Sequence, residues 1–223
     1  MHTTVLFDLD GTLIDQFTAI HKSVNHVRSR LGLEPAGYES VKHAVGGSVK
    51  LTLERLFQGN DLETTLPLFK EHFEQIMMDD VFVLPGILSL LKHLKKQAIQ
   101  MGVLTNKIGP HARATLDHLG LSPYFESVVG VGDTDSRKPD PKFTQYILDQ
   151  MRADLSKTCL IGDSPFDWQT GVEAGIPVYL VATGTHDTEA LKSETQSDFI
   201  YADLCALAKA QFNLDLNAYD SYE

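Results

Sequence analysis

The chain is poor in several things, and each shortage excludes something. Its 223 residues include two cysteines, Cys159 and Cys205. Two thiols make neither a disulfide framework nor a metal spacing, and Cys159, inside the run "TCLIG", reads as a small core residue. No apolar stretch reaches the ~18 residues of a membrane span. The opening "MHTTVLFDLD" lacks a basic leader, an apolar core and a small-residue cleavage site. The expectation is a cytoplasmic protein. Basic residues are scarce beside acids, 19 against 30, for a net charge of −11. Such a surface disfavours nucleic acid and anionic membrane as partners. A small anionic substrate stays compatible, because a few local cations dominate a pocket. The nine histidines include no HExxH spacing. Internal repeats and low-complexity tracts are lacking too, and no signal for oligomeric state stands out.

What is present is an alternation. Buried parallel strands read as continuous apolar runs, and such runs fall at 3–8, 99–105, 127–130, 158–163, 177–182 and, more briefly, 198–201. Between them the apolar residues take helical spacing: Leu88, Leu91 and Leu94 in 86–97, Ala112, Leu116 and Leu119 in 109–119, Phe143, Ile147 and Met151 in 141–152. "PFDWQTGVEAG" gives a further helix that closes at Gly171 or Gly175. Strands alternating with helices predict an open α/β fold with a parallel, Rossmann-like sheet and right-handed crossovers.

One interval breaks the alternation. Residues 15–80 show only helical periodicity: Ile20, Val24, Val27 and Leu31, then Val49, Leu53 and Leu56, then Leu66, Phe69, Phe73 and Met77. The expected organisation is an α/β core from 1–14 and 81–211, an inserted helical domain at 15–80, and a frayed acidic tail at 212–223.

Functional groups of a parallel α/β sheet gather outside the carboxyl ends of its strands. The first predicted strand ends in Asp8 and Asp10, the second in Thr105 and Asn106, the fourth in Asp163 with Asp167 after it. Lys138 stands in the turn "SRKPDP". Each has an ordinary reading: "DG" is a turn signal, Asp163 alone is best read as a helix N-cap, and Lys138 alone as a solvated lysine. Together they form one rim of carboxylates with a cation, a hydroxyl and an amide. An all-oxygen set suits Mg²⁺, and the rest suits phosphoryl oxygens. Phosphoryl transfer needs positioning and charge neutralisation, and this set offers both. Asp8 can then serve as a carboxylate nucleophile and Asp10 as acid and base.

"FDLDGTL", "LTN", "RKPDP" and "GDSPFD", in this order, resemble the four motifs of the haloacid dehalogenase superfamily. The resemblance implies a Rossmann-like core with a helical cap after the first strand. It implies Asp8 as nucleophile and Mg²⁺ ligand, and Asp10 as acid/base that lends its backbone carbonyl to the metal. Thr105, Asn106 and Lys138 would bind the phosphoryl group, Asp163 would be a metal ligand, and Asp167 would support the metal shell. Members that cleave carbon–halogen bonds lack the second aspartate of the first motif, so Asp10 favours a phosphatase. The stretch "VGGSVKLTLERLF", 45–57, resembles the substrate-specificity loop of phosphoglycolate phosphatases. Gly46, Gly47 and Lys50 are its substrate-loop candidates, and Arg55 reads as a helix-surface charge. The implied function is Mg²⁺-dependent hydrolysis of a small phosphorylated metabolite, 2-phosphoglycolate foremost, through an aspartyl-phosphate. A sugar-phosphate mutase shares the aspartate pair and is the alternative; a non-catalytic binding protein ranks last, because none of the four motifs is broken.

Overall fold

The apolar runs form a six-stranded parallel sheet. In this computed structural model, which describes residues 2–216, β1 (Thr4–Phe7) is followed by a short β2 (Ile14–Asp15). Four helices come next: α1 (Phe17–Arg30), α2 (Tyr38–Ala44), α3 (Val49–Leu56) and α4 (Leu62–Ile76). β3 (Phe82–Val83) and α5 (Ile87–Lys96) lead to β4 (Gln100–Ile108), α6 (Gly109–His118) and β5 (Ser127–Val131). Then come α7 (Pro141–Met151), β6 (Thr158–Gly162), α8 (Pro165–Ala174), β7 (Val178–Val181), α9 (Thr188–Glu194), β8 (Ile200–Tyr201) and α10 (Leu204–Phe212).

The sheet order is β5-β4-β1-β6-β7-β8. β1 lies between β4 and β6, with Phe7 level with Val103 on one side and Ile161 on the other. Successive side chains of a strand point to opposite faces. Val5 and Phe7 accordingly join one apolar cluster with Leu90, Leu91 and Leu116, while Leu6 joins another with Phe143, Ile147 and Leu160. Both faces are covered, which is why the strands read as unbroken apolar runs. A third cluster, with Val24, Leu53, Phe69 and Phe73, holds α1–α4 together.

Local chemistry fixes the helix ends. Ser48 caps α3 by accepting from the Leu51 amide at 3.3 Å, and Asp140 caps α7. α8 closes at Gly175, whose φ of 71° favours glycine. Gly171 lies inside that helix for a different reason: a Cβ there would come 1.9 Å from a Val178 methyl.

Several features escaped the sequence. β2 and β3 pair antiparallel over two residues each, Ile14 with Val83 and Asp15 with Phe82, too short to show alternation. This ribbon brackets the four helices. α2 buries only Val41 and Ala44, so it has no readable stripe; α9 and α10 were not predicted either. The tail is a correction. Leu214 and Leu216 pack on the core, and the Leu214 amide donates to Ala208 O at 3.1 Å, so the chain is held through 216. The remainder of the expected tail, 217–223, lies outside the described residues. Among the described residues no helix is long and apolar enough to cross a membrane.

Candidate active site

Asp8 follows β1, Thr105 lies in β4, and Asp163 follows β6. These are the carboxyl ends of the central strand and its two neighbours, where the order of connection reverses and α/β sheets bind ligands. Leu9, between the two acids, is fully buried in the core. Its carbonyl accepts from the amides of Thr12, Leu13 and Ile14 at 3.2, 2.9 and 3.1 Å, which curls the chain just after Asp8. Gly11 makes that turn at φ 87°.

Three acids and one lysine form the floor. Asp8, Asp163 and Asp167 are buried, and each offers a carboxylate oxygen such that the three lie within 4.8 Å of one another. Lys138, 3% exposed, reaches between two of them, with Nζ 2.8 Å from Asp8 Oδ1 and 2.6 Å from Asp167 Oδ1. Burial pushes the Asp8 carboxyl up to about 6, against the opposing pull of Lys138 and with the help of Asp167. Burial likewise raises Asp163 well above the usual carboxylate range, and the charges of Asp167 and Asp8 add to it. For Lys138, burial works to lower the ammonium's pKa, but Asp167 and Asp8 beside it outweigh burial and raise it.

A cation fits this floor. Three buried carboxylates face one buried ammonium, so negative charge is in excess. Asp8 Oδ1 has no well-directed hydrogen bond despite its burial and its ion pair. The donors are all oxygens, as a hard divalent ion prefers. Asp8 and Asp163 could hold it directly. Asp167 is differently engaged: Oδ1 takes Lys138, and Oδ2 accepts from the Asp163 amide at 3.2 Å, the Ser164 amide at 3.1 Å and the Ser164 hydroxyl at 2.6 Å. That arrangement fixes Lys138 and the start of α8. The Asp10 carboxylate is not one of the three clustered acids.

Asp163 sits in a tight cradle that Gly11 and Gly184 help to form. Its Oδ1 accepts from the Thr12 hydroxyl at 3.2 Å and its Oδ2 from the Thr185 amide at 3.2 Å. A Cβ on Gly184 would lie 1.7 Å from that Oδ2, and one on Gly11 2.6 Å. Gly184→Ala is therefore expected to displace the carboxylate, at about 1–3 kcal/mol of stability for overpacking. Metal affinity should fall with it. A calorimetric titration with Mg²⁺ beside a thermal melt checks this; affinity equal to wild type would contradict it.

The second motif contributes more than was read. Thr105, 2% exposed, accepts from the Lys107 amide at 3.2 Å, which leaves its own hydroxyl proton to donate. Asn106 has a second task. Its side chain donates to Lys138 O at 3.1 Å and accepts from Lys138 N at 2.9 Å, so besides lining the cavity it clamps the lysine's backbone. Lys107 was missed. Its ammonium donates to both oxygens of Asp10 at 3.0 Å and to the buried Gln16, which in turn donates to Met77 O. The signal was available: in a strand, residues two apart share a face, so Lys107 follows Thr105 onto the rim. Gln16, far away in sequence and alone, offered none.

Above the floor is a cavity of about 130 Å³, lined from the core by Asp8, Asp10 and Thr105 and from the helices by Ile20, Phe69 and Phe73, among others. Gly46 lines it as well. Gly47 packs against Phe166 of α8, where a Cβ would come within 2.6 Å. Lys50 is not brought to the cavity; it is exposed, because α3 turns Thr52 and Leu53 inward and position 50 outward. Arg55 is also exposed and donates to Ala44 O. The helical wall instead presents Lys70 and its neighbour across the cavity, His111 of α6.

With this geometry in place, the comparisons are specific. Residues 5–181 match the model of the haloacid dehalogenase-like hydrolase family. A phosphoglycolate phosphatase of Rhodospirillum rubrum is 33% identical over 195 residues, covering 82% of this chain and 81% of its own length. Another, from Agrobacterium fabrum, is 30% identical over 215 residues, covering 93% and 91%. A haloacid dehalogenase-like family hydrolase from Streptococcus pneumoniae shares the fold, with a TM-score of 0.84 at 19% identity over 96% of this chain and 99% of that one. The chain belongs to the haloacid dehalogenase-like hydrolase family, and within it to the phosphatases.

Proposed function

We propose that this phosphatase is a Mg²⁺-dependent phosphomonoesterase that works through a phosphorylated Asp8. The observation that carries the reading is the floor itself: a buried carboxylate with an undirected oxygen, beside one placed ammonium and two further acids. Mg²⁺, held by Asp8, Asp163 and the Asp10 backbone, would neutralise phosphoryl charge. Lys138 and the Thr105 hydroxyl would hold the phosphoryl oxygens. An oxygen of Asp8 attacks phosphorus, and the ester oxygen leaves with a proton from Asp10. Asp10 then takes a proton from water as that water attacks the phosphorus on Asp8. Free phosphate leaves and Asp8 is restored. Lys107 and Gln16 hold the Asp10 carboxyl in one orientation through both steps. The helices at 15–80 would act as a cap that excludes bulk water.

Relatives that are phosphoglycolate phosphatases make 2-phosphoglycolate the first substrate to test, and they weigh against transfer to a sugar hydroxyl. Phosphate release from a panel of small esters, with Mg²⁺ and with EDTA, tests the reading. Strong release that EDTA abolishes is expected; release indifferent to EDTA would contradict it.

Metal binding should also be visible without turnover. The Asp8 pKa of about 6 lies above its ordinary value of 3.8, and Asp163 is raised too. A carboxyl raised on folding binds its proton more tightly in the folded state, so the metal-free protein loses stability as pH climbs from about 4 through about 6. Above that window the Asp8 carboxylate carries its buried charge, and a cation relieves it. Saturating Mg²⁺, at ~100-fold above its dissociation constant, supplies ~2.7 kcal/mol, or roughly 5–10 °C in Tm at about pH 7.5. Below about pH 5 the shift should shrink by more than half, as protons compete for the ligands. Equal shifts at both pH values would be the contrary result.

A further inference from the structure

We infer that Lys70 of α4 receives a second anionic group of the substrate, at the far end of a body that carries few hydroxyls. The inference rests on the phosphatase reading and deepens it to a substrate class.

Two observations support it. The first is the state of the cations around the cavity. Lys107 is taken by Asp10 and Gln16. His111 is taken by Glu74 at 3.1 Å. Glu74 is one helical turn beyond Lys70 and is the natural i,i+4 partner for it, yet its carboxylate is turned to His111. Among the described residues the Lys70 ammonium has no hydrogen bond or ion pair, although the residue is half-buried and lines the cavity. An unspent charge beside apolar walls is a receptor for an anion. The scissile phosphate is already provided for by Lys138 and Thr105, so the anion that Lys70 meets is a different one.

The second observation is the wall itself. Ile20, Val49, Phe69, Phe73 and Ile108 line the same cavity as Lys70 and the acids and make its surface mainly apolar, with Ser48 and Thr52 among its few hydroxyls. Hydroxyls placed against such side chains would lose their water partners and gain none. Polyhydroxylated sugar phosphates are disfavoured for that reason, whereas a short, hydroxyl-poor chain is accommodated. A carboxylate and a second phosphate share the chemistry that Lys70 would recognise.

The test compares kcat/KM on four probes: 2-phosphoglycolate, propane-1,3-diol bisphosphate, phenyl phosphate and glucose 6-phosphate. It uses wild type, Lys70→Met, Lys70→Arg and Asp8→Asn, with a thermal melt of each. In wild type, at least one anionic-tailed ester should exceed glucose 6-phosphate. Lys70→Met should lower the ratio of that ester to phenyl phosphate roughly 10- to 100-fold, through KM, and Lys70→Arg should restore most of it. A drop confined to phosphoglycolate assigns a carboxylate; one confined to the bisphosphate assigns a phosphate. An unchanged ratio in Lys70→Met, with hydrolysis still dependent on Asp8, overturns this inference alone. No Asp8-dependent hydrolysis of any probe in wild type overturns it together with the phosphatase reading.

Discussion

Asp8→Asn is expected to lower kcat by roughly 10⁴-fold or more without lowering the Tm of the metal-free protein. The two halves of this result separate a chemical role from a structural one. Asparagine keeps the shape of the side chain, so the curl at Leu9 and the packing of β1 should persist. It removes the oxygen proposed as the nucleophile and with it the proposed covalent step. It also removes a carboxylate whose pKa burial pushes up to about 6, so its charge opposes folding at neutral pH. Phosphate release and a thermal melt on the same preparation check both halves. Retained turnover would contradict the chemistry; a Tm that falls as steeply as the activity would point to a merely structural residue.

Lys138→Met should be the most destabilising single change in the site. Lys138 is 3% exposed, and its ammonium is the counter-charge to both Asp8 and Asp167. Removing one member of a buried ion pair leaves the other uncompensated, at about 3–5 kcal/mol. In a chain of this size that is roughly 6–20 °C in Tm. The raised pKa of Lys138 fixes the pH range: its contribution is complete below its ordinary value of 10.5 and is lost only above that. The loss should therefore be undiminished near neutral pH. Adding Asp167→Asn to Lys138→Met should recover part of the stability, because it deletes one stranded charge. It should not recover activity, because the cation proposed to hold the phosphoryl group is still missing. A urea titration of the single and double variants measures this. Equal stability of Lys138→Met and wild type would contradict it.

The sheet was legible because each strand is buried on both faces, which leaves continuous apolar runs such as "TVLF" and "TCLIG". The inserted helices were legible through the stripes of α1, α3 and α4. What escaped was short or weakly patterned: the two-residue ribbon of β2 and β3, and α2 with two buried positions. At the site, Asp8 and Asp163 could be read because parallel strands deliver their ends to one rim. Asn106 showed as a polar residue, but its clamp on the Lys138 backbone depends on a contact 32 residues away. Lys50 and Lys70 look alike in sequence. Only the rotation of α3 and α4 decides that the first faces solvent and the second the cavity. Gly184 gave no signal at all, since its need is set by Asp163 across 21 residues and a strand.

The central claim is a phosphoryl group carried by Asp8. Mixing the enzyme with a turned-over phosphate ester and Mg²⁺, quenching in acid within milliseconds, and mapping the modified peptide by mass spectrometry tests it most directly. The expected result is a phosphoryl adduct on Asp8 that decays as free phosphate appears and is missing in Asp8→Asn. Full turnover with no adduct at any quench time, or an adduct on another residue, would contradict it.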